Sequence, residues 1–152
     1  MFDHSHLAGI PFELGRDDCY SLIRGFYKGF LDLDLPNYAR PNNFWEHGLN
    51  LYTERYLKNG FRVLHCHPLD YQFGDLVLMS VRSKIVNHGG VLVENGGLLH
   101  HAFGRLSLVE PYRGLWRDCT MMVLRHKTAT VDEVTPTIDV IQELPRNVRS
   151  KL

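Results

Sequence analysis

The apolar residues change their spacing once along the chain, near Gly60, and no other feature restricts the fold as much. Before that point they fall at Cys19, Leu22, Ile23, Phe26, Tyr27, Phe30 and Leu31, the spacing that lays one apolar stripe along a helix. Asp17-Asp18, at the end of the turn-rich segment AGIPFELGR, are good N-cap residues, so a helix is expected over 18–31. After a loop from Leu35-Pro36 to Pro41, Asn42-Asn43 can cap a second helix carrying Phe44, Trp45, Leu49, Tyr52, Tyr56 and Leu57, closed by Asn59-Gly60. Beyond Gly60 come short β-rich runs separated by turn residues: FRVLHC, DLVLMSV, HGGVLVE, GLLHHAF, GRLSLVE and DCTMMVLRH. They suit an antiparallel sheet of about five or six strands. Helices first and strands afterwards imply an α+β fold with N-terminal helices packed on one face of that sheet.

With 152 residues, 44% of them apolar, the chain is long enough for one domain with a buried core. Seventeen basic residues balance seventeen acidic ones, so no overall field draws it to nucleic acid or to an anionic bilayer. No apolar run approaches the roughly 18 residues of a spanning helix, and no membrane insertion is expected. The start, MFDHSHLAGIPF, lacks the basic and apolar regions of a secretory signal, so a soluble protein made in a cytoplasm is the simplest expectation. Trp116 is the last aromatic, and the polar stretch after His126 contributes little to a core. Residues 1–126 are therefore expected to form the domain and 127–152 an arm that docks on a partner, with a short helix starting at Thr135-Pro136.

Three widely spaced cysteines, Cys19, Cys66 and Cys119, leave at least one thiol free. Cys19 falls in the first turn of the first helix, where unpaired N–H groups and the helix dipole favour a thiolate; a buried core residue would occupy the same position. A thiolate nucleophile needs a base, and His88 opens the run HGGVLVE, with Gly89 and Gly90 leaving room for a substrate backbone. If Glu94-Asn95-Gly96 form a three-residue loop, a type I turn closed by a left-handed Gly96, then Val93 faces Gly97 and Gly90 faces His100. His88 and His100 become diagonal neighbours on one sheet face, and His101→Ala is expected to be nearly silent. A two-residue Asn95-Gly96 turn would instead put His101 on that face.

The segments DDCYSLIRGFY, YQFGDLVLMSV and NHGGVLVENGGLLHHAFGRLSLVEPYRGLW resemble the NlpC-type, papain-like cysteine peptidases of cell walls, most closely the variety carried by bacteriophage tails. The resemblance covers about Ile10 to Arg125 and places Cys19, His88 and His100 on the family's nucleophile, base and orienting residue. It implies a papain-like NlpC-type fold and cleavage of peptidoglycan stem peptides next to D-glutamate and diaminopimelate. It also implies other tail-tip proteins as partners, assembly in the host cytoplasm, and residence in the virion tail tip. Phe12 stands where the family often has a tyrosine reaching the site, and Tyr20-Ser21 replace the usual Ser-Gly after the cysteine. A chain of 152 residues is expected to have no space for the additional metallopeptidase-like domain of many such phage proteins. No metal or other cofactor is required by this chemistry.

Other residues fit blander roles. His65 and His67 would share one side of a strand and Cys66 the other, so a zinc site would need further ligands such as His4 and His6. Asp75 after Gly74 is expected to cap or buttress a turn. Arg82, Arg105 and Arg113 read as solvated cations that can also meet substrate carboxylates.

Overall fold

The computed structural model describes residues 2–40 and 51–129. The expected start of the second helix at Asn42-Asn43, with Phe44, Trp45 and Leu49, lies outside these residues, as do the Thr135-Pro136 helix and nearly all of the 127–152 arm.

Helix α1 spans Cys19–Leu31, capped by the Asp18 side chain, which accepts from the Ser21 N–H, and ended by left-handed Asp32 (φ 51°). Helix α2 spans Leu51–Lys58. The strands are β1 (Phe61–Val63), β2 (Leu76–Met79), β3 (His88–Val93), β4 (Gly97–His100), β5 (Leu108–Pro111) and β6 (Thr120–His126), with a single helical turn, α3 (Leu115–Asp118), before β6. They form one antiparallel six-stranded sheet in the order β1-β6-β2-β3-β4-β5.

α1 buries its stripe of Leu22, Ile23, Phe26 and Tyr27 against the sheet face that carries Leu76, Leu78, Val91, Val93, Leu99 and Leu124. The other face is covered as well, because Val77, Met79, Leu92, Leu98 and Val123 pack against Tyr71, Tyr112 and Trp116 from the connections and α3. The core therefore has two layers, each a continuous apolar surface removed from water. Between β6 and β2 lies a buried ion pair: Arg125 donates to Asp75 Oδ1 at 2.7 Å and to Oδ2 at 2.8 Å, and the same Oδ2 accepts from the Gln72 N–H. Asp75 does hold the turn ahead of β2, and it also neutralises a buried cation.

The β3–β4 loop has three residues, and the register pairs Gly90 with His100 and Val93 with Gly97. Its backbone is not a type I turn, since Asn95 (φ 58°) is left-handed as well as Gly96 (φ 68°). Asparagine tolerates that conformation better than other non-glycine residues, so the length and register hold while the turn type differs. The two glycines of β3 do not make room for substrate. A Cβ on Gly89 would lie 3.0 Å from Ile23 Cδ1, and one on Gly90 would lie 2.9 Å from His100 Cβ. Gly89 admits α1 and Gly90 admits the His100 side chain, and both are buried away from the cleft described below.

The N-terminal segment is stitched to the β4–β5 connection through Ser107. Its hydroxyl donates to the Leu7 carbonyl at 2.7 Å and accepts from the Ile10 N–H at 3.0 Å, while its backbone exchanges hydrogen bonds with Gly9 and Ile10.

Candidate active site

Cys19 is the first residue of α1, and its position is set by the residue before it. Asp18 Oδ1 accepts from the Ser21 N–H at 2.9 Å, and Oδ2 accepts from the Gly15 N–H at 2.8 Å and from Arg40 Nε at 2.5 Å. The remaining guanidinium protons of Arg40 go to Asn37 Oδ1, the Tyr38 and Gly15 carbonyls and Ser21 Oγ. All five donors of the arginine are thus used, as a cation whose side chain is only 3% exposed requires. The helix start is held by a cap and a charge together, and Cys19 sits on it, 6% exposed.

The histidines come from the face of the sheet that α1 does not cover. His88 and Gly90 share that face, and His100 lies opposite Gly90. The diagonal brings His88 Nε2 to 2.8 Å from His100 Nδ1. A second diagonal step, onto β5, brings His100 Nε2 to 2.6 Å from Glu110 Oε1. Trp116 packs over both imidazoles, with ring centroids 4.5 Å from His100 and 5.7 Å from His88. Burial, with smaller contributions from His100 and His101, pushes the His88 pKa down to about 3. Burial lowers that of His100 too, against the pull of the Glu110 hydrogen bond. Asn87, immediately before His88, clamps the incoming loop with its side-chain amide, accepting from the Val81 N–H and donating to the Val81 carbonyl, both at 2.8 Å.

Cys19 and His88 line one cleft of about 500 Å³ at the end of the sheet where β3 starts and β4 finishes. Phe12, Phe103, Leu115 and Trp116 supply apolar wall; Arg82 and Arg105 supply charge. Neither arginine side chain pairs with a carboxylate among the described residues. Phe12 lies edge-on to His101, with centroids 5.3 Å apart, and next to Phe103 at 4.9 Å. A neighbouring hollow of about 540 Å³ on the flank of α1 shares Asp18 and His101 with this cleft but contains neither Cys19 nor His88.

His101 corrects the expectation that it would be a bystander. The chain leaves β4 at His100, so strand alternation no longer applies to the next residue, and His101 turns into the cleft wall, 2% exposed, where its Nε2–H donates to the Arg105 carbonyl. Glu110, Arg40 and Trp116 were not anticipated as parts of the site. The zinc alternative finds no cluster: among the described residues, no three His, Cys, Asp or Glu side chains converge on a common point. His67 Nδ1 accepts from the Leu69 N–H, His4 pairs with Glu94, and Cys66 is exposed. No helix among the described residues is long and apolar enough to cross a membrane.

A thiol at a helix N-terminus and a strand histidine thus line one cleft, with a second histidine hydrogen-bonded behind the first. The NlpC/P60 family model matches residues 9–125, and the chain belongs to that family. It is 36% identical over 125 residues to tail tip assembly protein K of Escherichia phage N15, covering 81% of this chain and 50% of that protein. With the tail tip assembly protein K of Escherichia phage lambda it shares 35% identity over 123 residues, 80% of this chain and 60% of that one. The chain thus spans only part of the length of both relatives. Among solved structures, the NlpC/p60 domain of the peptidoglycan hydrolase SagA matches with a TM-score of 0.54 at 12% identity, covering 80% of this chain and 92% of that domain. An NlpC/P60 family protein from Bacillus cereus matches at a TM-score of 0.57 and 17% identity, over 81% of this chain and 37% of that one. At these identities the structural likeness concerns the fold.

Proposed function

We propose that the chain is a cysteine peptidase that cleaves peptidoglycan stem peptides as part of a phage tail tip. The observation that carries this reading is the opening of Cys19 and a buried, His100-bonded His88 onto one cleft. In this reading His88, neutral near pH 7, takes the Cys19 proton as the sulfur attacks the amide carbonyl. The Cys19 N–H, at the positive end of the α1 dipole, holds the developing oxyanion. The imidazolium then protonates the leaving amine, and the neutral ring activates the water that releases the acyl group.

Arg82 and Arg105 on the cleft wall favour a substrate carrying carboxylates beside the scissile amide, which D-glutamyl-diaminopimelate linkages provide. Phe12, with no hydroxyl, contributes packing to the substrate site and no hydrogen bond. The polar 127–152 segment is proposed to dock on another tail component. The test is incubation of purified peptidoglycan with the wild type and with Cys19→Ala, followed by mass spectrometry of the released peptides. The wild type is expected to release fragments ending at D-glutamate, and Cys19→Ala none.

A second reading is favoured by the name of the phage relatives, tail tip assembly protein: a structural subunit that keeps the fold with little or no hydrolysis. Absence of released peptides from the wild type, together with normal incorporation of Cys19→Ala into infectious particles, would select it.

A further inference from the structure

The proposed mechanism needs one particular nitrogen of His88 to be free of a proton, and the surrounding hydrogen bonds bear on which nitrogen that is. A carboxylate only accepts, so the 2.6 Å contact of His100 Nε2 with Glu110 Oε1 requires the proton of His100 to sit on Nε2. Burial keeps His100 below its ordinary pKa, so near neutral pH the ring carries that one proton and its Nδ1 is bare. A bare Nδ1 at 2.8 Å from His88 Nε2 accepts, so Nε2 of His88 carries the proton of that ring. The remaining nitrogen, His88 Nδ1, is left as the proton acceptor. The reverse arrangement, with His100 donating to His88, would place the His88 proton on Nδ1 and leave the base unable to take one from the thiol.

We propose that Glu110 is a positioning residue that sets the tautomers of both histidines and so makes His88 a base through its Nδ1. The proposal rests on the peptidase reading of the cleft but names a residue outside the three expected from sequence. Glu110 reaches neither the cleft lining nor the thiol; it acts through His100. The relay runs diagonally across β3, β4 and β5, with His88, His100 and Glu110 on one face. Trp116 covers both rings and limits access of water that would otherwise satisfy the same nitrogens in either sense. When His88 becomes an imidazolium, its Nε2–H already points to an acceptor whose own donor ends on a carboxylate, so the new charge is stabilised without rearrangement.

The experiment needs no substrate. In ¹⁵N-labelled wild-type protein near neutral pH, the imidazole nitrogen shifts are expected to show Nδ1 bare and Nε2 protonated for both His88 and His100. A protonated Nδ1 on either ring overturns the proposal without any variant. Glu110 is on the edge strand with its side chain 27% exposed, so Glu110→Leu is expected to fold. In that variant a population with His88 Nδ1 protonated should appear, and alkylation of Cys19 by iodoacetamide at neutral pH should slow about tenfold or more. The two rates should converge at alkaline pH, where the thiolate forms without help. Unchanged nitrogen shifts or an unchanged alkylation profile would also overturn it. A protein with the expected tautomers that releases nothing from peptidoglycan would instead break only the peptidase reading.

Discussion

The two walls of the cleft are held in contrasting ways. On the thiol wall every partner of Asp18 is close in sequence, the most distant being Arg40, 22 residues away. On the histidine wall three residues stand on three strands, and each hydrogen bond depends on a strand register. A local arrangement fails when its charge balance is disturbed, whereas one built on register fails when any side chain moves to the opposite face. Charge substitutions should therefore damage the first wall through stability, and side-chain deletions should damage the second through chemistry.

The largest expected effect is on the thiol wall. Asp18→Ala leaves the buried Arg40 guanidinium without its carboxylate and removes the cap of α1, so a loss of about 3–5 kcal/mol in urea denaturation is expected. A paired Asp18→Leu, Arg40→Met replacement should lose clearly less, and an equal loss would show that the pair's charge is not what matters. Next comes the histidine wall: His100→Ala should reduce turnover about a hundredfold with little change in circular dichroism or thermal midpoint. Loss of the fold in that variant would erase the distinction between the walls.

Acid should act on the histidine wall as well. Above pH 6.5 His88 is neutral whether the chain is folded or not, but its folded pKa is held at about 3. As pH falls from 6.5 towards 3 the unfolded chain takes up the proton first, so stability is lost through that window. Urea midpoints measured across it should drop in the wild type and drop less steeply in His88→Gln. The smallest effect is expected from His101→Ala, which removes the hydrogen bond to the Arg105 carbonyl and the edge contact with Phe12. A rise of about threefold in KM with kcat nearly unchanged would mark it as wall rather than base, while a loss matching His100→Ala would overturn the assigned register.

The same contrast explains what was legible in the sequence. Helix α1, its Asp18 cap and the place of Cys19 follow from short-range spacing, whereas the β3–β4 register was legible only as one of two alternatives set by the length of the turn, of which the three-residue loop is the one observed. Glu110 was not legible because β5 is reached through the irregular 101–107 connection, for which no turn rule fixes a register. Arg40 lies in an extended loop with no periodicity to show that it turns inward. Gly89 and Gly90 were misread for a different reason: a missing side chain makes equal room for a helix, a neighbouring strand or a ligand, and only the packing distinguishes them. The covered second face of the sheet was missed because its cover comes from connections and the single turn α3, which carry no repeating pattern.

The Ser107 stitch also places the site in time. The segment preceding Cys19 leaves the ribosome well before its anchor, since the Ser107 hydroxyl that binds the Leu7 carbonyl is 100 residues further along the chain. His88, His100 and Glu110 likewise follow long after the thiol has emerged. A nascent or truncated chain thus carries the thiol without the histidines beside it, and the cleft is complete only when synthesis has passed α3, whose Leu115 and Trp116 line it. Under the proposed peptidase reading, the order of translation by itself keeps an unfinished copy from attacking peptides around it.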